Sequence, residues 1–209
     1  MIENQEQANQ RANEIAKKYQ LTEAFHYEGA QEIANALQQF VGNRLGTDAV
    51  DAAIKIMELA YYLDKKIEYT IALSDLYLRN QQYELAISLT DVGLAMQPSR
   101  NQQIELYDIV VSSSILAGYF EEAIDIFDQY AEELIKEQDP LLTALVAYAL
   151  ASIDRTEEAV SMLELNMALI EEADPTATAQ ATSINQDTIS IINKKITETI
   201  TASTNTTSS

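Results

Sequence analysis

The chain has no cysteine and no tryptophan, five glycines, three prolines and a single histidine among 209 residues. Without cysteine there is no disulfide framework, thiolate metal site or thiol nucleophile, and a cytoplasmic location is the expectation. The few helix breakers, among them Gly46, Gly118, Pro98, Pro140 and Pro175, are separated by long uninterrupted stretches. That spacing predicts long helices joined by short turns. Basic residues are also scarce: 13 Lys and Arg stand against 33 Asp and Glu, a formal net charge of −20. Such a field repels phosphate backbones and anionic headgroups, so nucleic acid is not an expected partner. No apolar run is long enough to span a bilayer, and the opening segment MIENQEQANQRANEIAKK has no apolar core of a leader peptide. Neither a membrane span nor a signal peptide is expected.

Catalytic signatures are missing as well. There is no phosphate-binding loop, dinucleotide fingerprint, HExxH pair or nucleophile motif, and His26 stands between Phe25 and Tyr27 with no second imidazole nearby. His26 reads as an ordinary helix residue near a turn. Glu121, Glu122, Asp125 and Asp128 share a helix face, but carboxylates at that spacing without a converging loop read as a solvated surface. No enzyme activity, cofactor or metal is expected.

What is present is a helical hydrophobic period. Ala8, Ala12, Ile15, Ala16 and Tyr19 fall on one stripe. Ala30, Ile33, Ala34, Leu37, Phe40 and Val41 fall on a second; a turn at Gly42 to Gly46 leads to a third through Val50, Ile54, Met57 and Tyr61. From Ile67 the chain repeats itself, the mark of stacked helix pairs. The segment Ile67 to Pro98 carries Leu73, Ser74, Tyr77, Tyr83, Ala86, Gly93 and Pro98, and a second segment carries Tyr107, Val110, Gly118, Phe120, Ala123 and Phe127. A third keeps Val146, Ala147, Ala159 and Leu163, with Asp154 and Thr156 where the pattern usually has Gly and Tyr. Small residues at these offsets allow two helices to cross closely. Ala86, Ala123 and Ala159 lie 37 and 36 residues apart.

These residues resemble the tetratricopeptide repeat (TPR) family, with about three units and the best match from Ile67 to Leu169. The resemblance implies an all-α, tetratricopeptide-like helical solenoid of antiparallel helix pairs. Residues 1–66 are read as N-terminal helices, including a candidate degenerate repeat that matches poorly. Residues 67–172 are read as the repeats, and 173–209 as a mostly disordered Thr/Ser-rich tail with a short helix over 184–200. Start signals agree with the repeat boundaries: Ser99 with Gln102 reads as a capping box, and Asp139 before Pro140 as an N-cap. In the tail, Ser183 and Gln186 could cap a helix with Ile189, Ile192, Ile196 and Ile200 on one face; the alternatives for this stripe are burial on the end of the last repeat, docking into the groove, binding a partner, or no stable helix at all.

The resemblance also implies a function and a place for it, since tetratricopeptide arrays bind an extended or helical peptide along the first helices of successive units. The implied groove positions are Glu68, Ile71, Asp75, Leu78 and Arg79 in the first unit, and Glu105, Asp108, Ser112, Ile115 and Leu116 in the second. In the third they are Leu141, Ala144, Tyr148 and Ser152. Members that grip a C-terminal carboxylate use Lys, Asn and Arg there, whereas this chain offers Ile71, Asp75 and Asp108. The expected partner is therefore another protein or peptide with basic and apolar residues, held by an adaptor, scaffold or chaperone-like module. Two alternatives stand beside it: a structural protein that oligomerises through its repeats, and a peptide-sensing regulatory module.

Overall fold

The structure, a computed structural model, describes residues 5–18, 47–172 and 178–206. Every regular element among them is a helix: α1 (Gln5–Lys18), α2 (Thr47–Leu63), α3 (Ile67–Arg79), α4 (Tyr83–Ala95), α5 (Arg100–Ala117), α6 (Phe120–Lys136), α7 (Pro140–Ser152), α8 (Thr156–Glu172) and α9 (Ala179–Thr206). Tyr19, His26, the stripe from Ala30 to Val41, the turn at Gly42 to Gly46 and Pro175 lie outside the described residues. Two compact units divide the chain, Met1–Ser113 and Ser114–Ser209, with the boundary inside α5.

In the first unit the polar helix α1 turns the expected stripe Ala8, Ala12, Ile15 and Ala16 inward and packs on α2. Helix α2 buries Ile54 and Met57, α3 buries Leu73, Leu76 and Tyr77, and Ala86 of α4 closes the same cluster. Close approach shows at Gly93 of α4, where an added Cβ would stand 2.9 Å from Leu106 Cδ2 and 3.1 Å from Thr70 Cγ2. Gly93 is the position that lets α3 and α5 reach the α4 backbone.

Three turns are built alike. After α3, α5 and α7 the chain passes through one residue with positive φ: Gln81 (59°), Gly118 (90°) and Asp154 (67°). The next amide then reaches back over the helix end, Gln82 N to Tyr77 O at 2.8 Å, Tyr119 N to Ser114 O at 2.8 Å and Arg155 N to Leu150 O at 3.0 Å. This is the Schellman closure, which satisfies carbonyls left open at a helix C-terminus. Four residues further on stand Ala86, Ala123 and Ala159, each fully buried. Asp154 thus adopts the left-handed conformation that the sequence pattern gives to Gly.

The helix starts follow the sequence at two places. Gln102 N donates to Ser99 Oγ at 3.4 Å while Ser99 N donates to Gln102 Oε1 at 3.0 Å, and Leu141 N donates to Asp139 Oδ1 at 2.7 Å beside Pro140. At the third place the structure corrects the expectation. The Thr/Ser-rich segment is helical over Ala179–Thr206 rather than over 184–200, so Ser183 and Gln186 are interior residues and not caps. Thr hydroxyls along it fold back onto the preceding turn, Thr182 to Thr178 O, Thr188 to Ile184 O, Thr197 to Asn193 O and Thr201 to Thr197 O, at 2.8–3.0 Å. In this arrangement the hydroxyls bond to carbonyls of their own helix rather than holding the backbone in a competing turn.

Helix α9 packs on α7 and α8, as a terminal cover should. Its inward face takes Ile192 from the isoleucine stripe but not Ile189 or Ile196. Ala181, Asn185, Thr188 and Ile192 are buried, while Ile189 and Ile196 are exposed. The cause is a polar relay: Asn166 of α8 donates from Nδ2 to the Pro140 carbonyl, and Asn185 Nδ2 donates to Asn166 Oδ1 at 2.7 Å. Lys195 Nζ donates to Ala151 O at 2.6 Å and pairs with Asp154, closing the C-terminal end of α7. A cation at that end also complements the helix dipole.

Candidate functional site

The two units place the groove positions in different surroundings. In the first, Asp75 and Arg79 are already paired along α3, Nε to Oδ2 at 2.7 Å, which neutralises one of the two carboxylates expected to attract a basic ligand. Glu68 is exposed and accepts a 3.4 Å bond from Gln102 Nε2. Ile71 and Leu78 are half-buried against the core and present only their outer edges. On α5, Glu105 is exposed, whereas Ser112 is buried and its Oγ donates to Asp108 Oδ1 at 3.2 Å.

In the second unit, Ile115 and Tyr148 come together. They line a cavity of about 340 Å³ with Leu116, Phe120, Leu145, Ile184 and Asp187. Ile115 is otherwise buried, and Tyr148 is half-buried with its ring edge-on to Phe120, centroids 5.8 Å apart at 73°. Of the third-unit positions, Ala144 is buried, Leu141 is half-buried, and Ser152 Oγ donates to Tyr148 O at 2.8 Å. An apolar pocket with two aromatic rings and one carboxylate can take an aliphatic or aromatic side chain and a neighbouring cation.

A second concavity lies in the first unit, on the other helices. About 390 Å³ opens between α2 and α4, walled by Tyr61, Tyr62, Leu85, Leu89 and Val92 and floored by Leu73 and Tyr77. Tyr77 donates to Glu58 Oε1 at 2.8 Å, and burial together with that carboxylate pushes its phenol well above the ordinary range. Among the described residues no group of three or more His, Cys, Asp or Glu is placed to hold a metal, and no helix is long and apolar enough to cross a membrane.

A solved structure of the tetratricopeptide protein MamA, MamA MSR-1 C2, is similar over 79% of this chain and 90% of its own, at 23% identity and a TM-score of 0.53. The fold is tetratricopeptide-like. No family model and no curated protein matches the chain. The likeness and the three equal turns agree on the helix-pair architecture. Two features of the site escape sequence reasoning. Ile184 and Asp187 reach the cavity from α9, far along the chain from Ile115, so no local pattern announces them. Phe120 reads in the sequence as a repeat-packing residue only, and its second role shows once its ring is seen against Tyr148.

Proposed function

We propose that the chain is a protein-interaction module, an adaptor or scaffold that holds a partner polypeptide rather than transforming a substrate. The cavity of the second unit carries this reading: Phe120 and Tyr148 form an aromatic corner in an apolar pocket, and Asp187 supplies its carboxylate. A partner segment with an apolar side chain followed by Lys or Arg fits that chemistry, the apolar part contributing most of the affinity and the charge contributing selectivity. On the first unit the exposed parts of Glu68, Ile71, Leu78 and Glu105 provide further contact positions. Asp75 contributes little there because Arg79 occupies it.

The test is a titration of basic-apolar peptides, and of partner protein captured from lysate, against Tyr148→Ala and Asp187→Asn. Tyr148→Ala should weaken binding about tenfold, the loss of one aromatic anchor. Asp187→Asn should weaken it less, with an effect that fades as salt rises. Binding that survives both substitutions unchanged would remove the cavity as the site.

A further inference from the structure

The cavity of the second unit is walled by helices that are held in different ways. Phe120 and Tyr148 come from α6 and α7, whereas Ile184 and Asp187, the one carboxylate among the lining residues, come from α9. Helix α7 is fixed by apolar burial, with Leu142, Leu145, Val146 and Leu150 all inside. Among the described side chains of α9 the buried ones are Ala181, Asn185, Thr188 and Ile192, of which only Ile192 is large and apolar. Part of the site therefore rests on a helix with little hydrophobic hold.

The anchors of α9 are polar, and none of them lines the cavity. Asn185 Nδ2 donates to Asn166 Oδ1 of α8 at 2.7 Å, and Lys195 Nζ donates to Ala151 O at 2.6 Å while pairing with Asp154. Lys195 lies eight residues beyond Asp187, about 12 Å further along the helix axis. A hydrogen bond that opens is replaced by one to water, so these contacts cost less to release than the re-exposure of several large apolar side chains. Once released, a segment rich in Thr, Ile, Ser and Asn has low helix propensity, and its amides open to solvent. Such a helix can leave and return while α7 and α8 stay folded.

We propose that near room temperature α9 opens and closes on α7 and α8 as a separate unit, and that the peptide site is complete only while it is closed. Separate opening stands on the contacts of α9 alone; the coupling to binding rests on the cavity being the peptide site. A partner side chain that touches Tyr148 and Asp187 together binds the closed form, so occupancy favours closure to the same extent that closure favours occupancy. Lys195 and Asn185 act as positioning residues, setting how often Asp187 is in place without meeting the partner themselves. The terminal helix then works as a strap: the partner holds it down, and whatever pries it off releases the partner.

Amide hydrogen exchange of the full chain tests both parts, first alone and then with a synthetic peptide in which Phe or Leu is followed by Arg. Alone, α9 amides should exchange at least about tenfold faster than the buried amides of α7, and Lys195→Met should accelerate α9 a further threefold or more, roughly, while leaving α7 unchanged. With peptide at about ten times its dissociation constant, α9 exchange should slow about elevenfold, because the open form does not bind. Asn185→Ala combined with Lys195→Met loses both anchors and should bind the peptide at least about threefold more weakly. Exchange of α9 at the rate of α7, or a Lys195→Met effect spread evenly over the unit, overturns separate opening whatever the peptide does. Exchange of α9 that saturating peptide leaves unchanged, or undiminished binding by the double variant, overturns the coupling; if Tyr148→Ala still weakens binding, the cavity reading stands. A wild type that does not bind the peptide, or a Tyr148→Ala variant that binds it as well as wild type, removes the cavity reading and the coupling with it, and separate opening is then decided by the ligand-free rates.

Discussion

At Gly118 the backbone has a φ of 90° and an added Cβ would meet nothing within 4 Å, so substitution there isolates conformational cost from crowding. Gly118→Ala should destabilise by about 1–2 kcal/mol, the penalty of the left-handed conformation for a residue with a Cβ. Gln81 occupies the equivalent turn position at a φ of 59°, and there the change runs the other way. Gln81→Gly should stabilise by up to about 1 kcal/mol, relief of strain less the extra chain entropy of glycine. Urea midpoints of the two variants on opposite sides of wild type would verify the shared turn; a stabilised Gly118→Ala would refute it. Arg155, in the third turn, pairs with Asp128 at 2.8 Å and Glu158 at 2.5 Å. Its guanidinium holds the Glu158 carboxyl below the ordinary range. That contribution is present above the unfolded value of about 4.3 and is lost as pH falls through the lower folded value. Glu158→Gln should therefore lower the melting temperature slightly at neutral pH, since so exposed a pair contributes less than about 1 kcal/mol of stability. In acid the variant and wild type should converge.

Helix α9 buries few apolar side chains and is held in large part by directed hydrogen bonds. Asn166→Ala would leave the buried Asn185 amide without its acceptor, at a cost of about 1–3 kcal/mol. Asn166→Ala combined with Asn185→Ala should cost less than the sum of the single changes, since both remove the same bond. Deleting the chain from Ala179 onward should lower the melting temperature and raise binding of a hydrophobic dye, because the surfaces of α7 and α8 lose their cover. An unchanged melt would mean that α9 is not docked. The same helix shows where sequence reasoning stops. Ile189, Ile192 and Ile196 form a regular stripe, and the rule that apolar residues face inward selects it. What overrules it is the need of the buried Asn166 Oδ1 for a donor, which no local pattern reveals.

For the molecule as a whole, legibility follows sequence separation. The caps at Ser99 and Asp139, the buried alanines 86, 123 and 159 and the helix starts depend on residues a few positions apart, and the sequence reports them directly. Tyr148 and Ile115 could be placed as first-helix positions because the repeat period locates them. Their meeting with Phe120, Ile184 and Asp187 is a product of packing between elements and could not be read beforehand. The inward polar face of α9 has one more consequence, in the heat capacity of unfolding. Newly wetted apolar surface raises that quantity and newly wetted polar surface lowers it. Releasing Asn185 and Thr188 with Ile192 should therefore add less per residue than the average of about 12–15 cal/mol/K. The α1 to α4 core, lined by Ile56, Met57, Leu73 and Leu76, should add more. Calorimetry of the full chain against the chain ending before Ala179 should show nearly parallel baselines. The terminal helix would then hold on through cooling while the apolar core weakens, so the first region to loosen in the cold should be the one with the larger hydrophobic cluster.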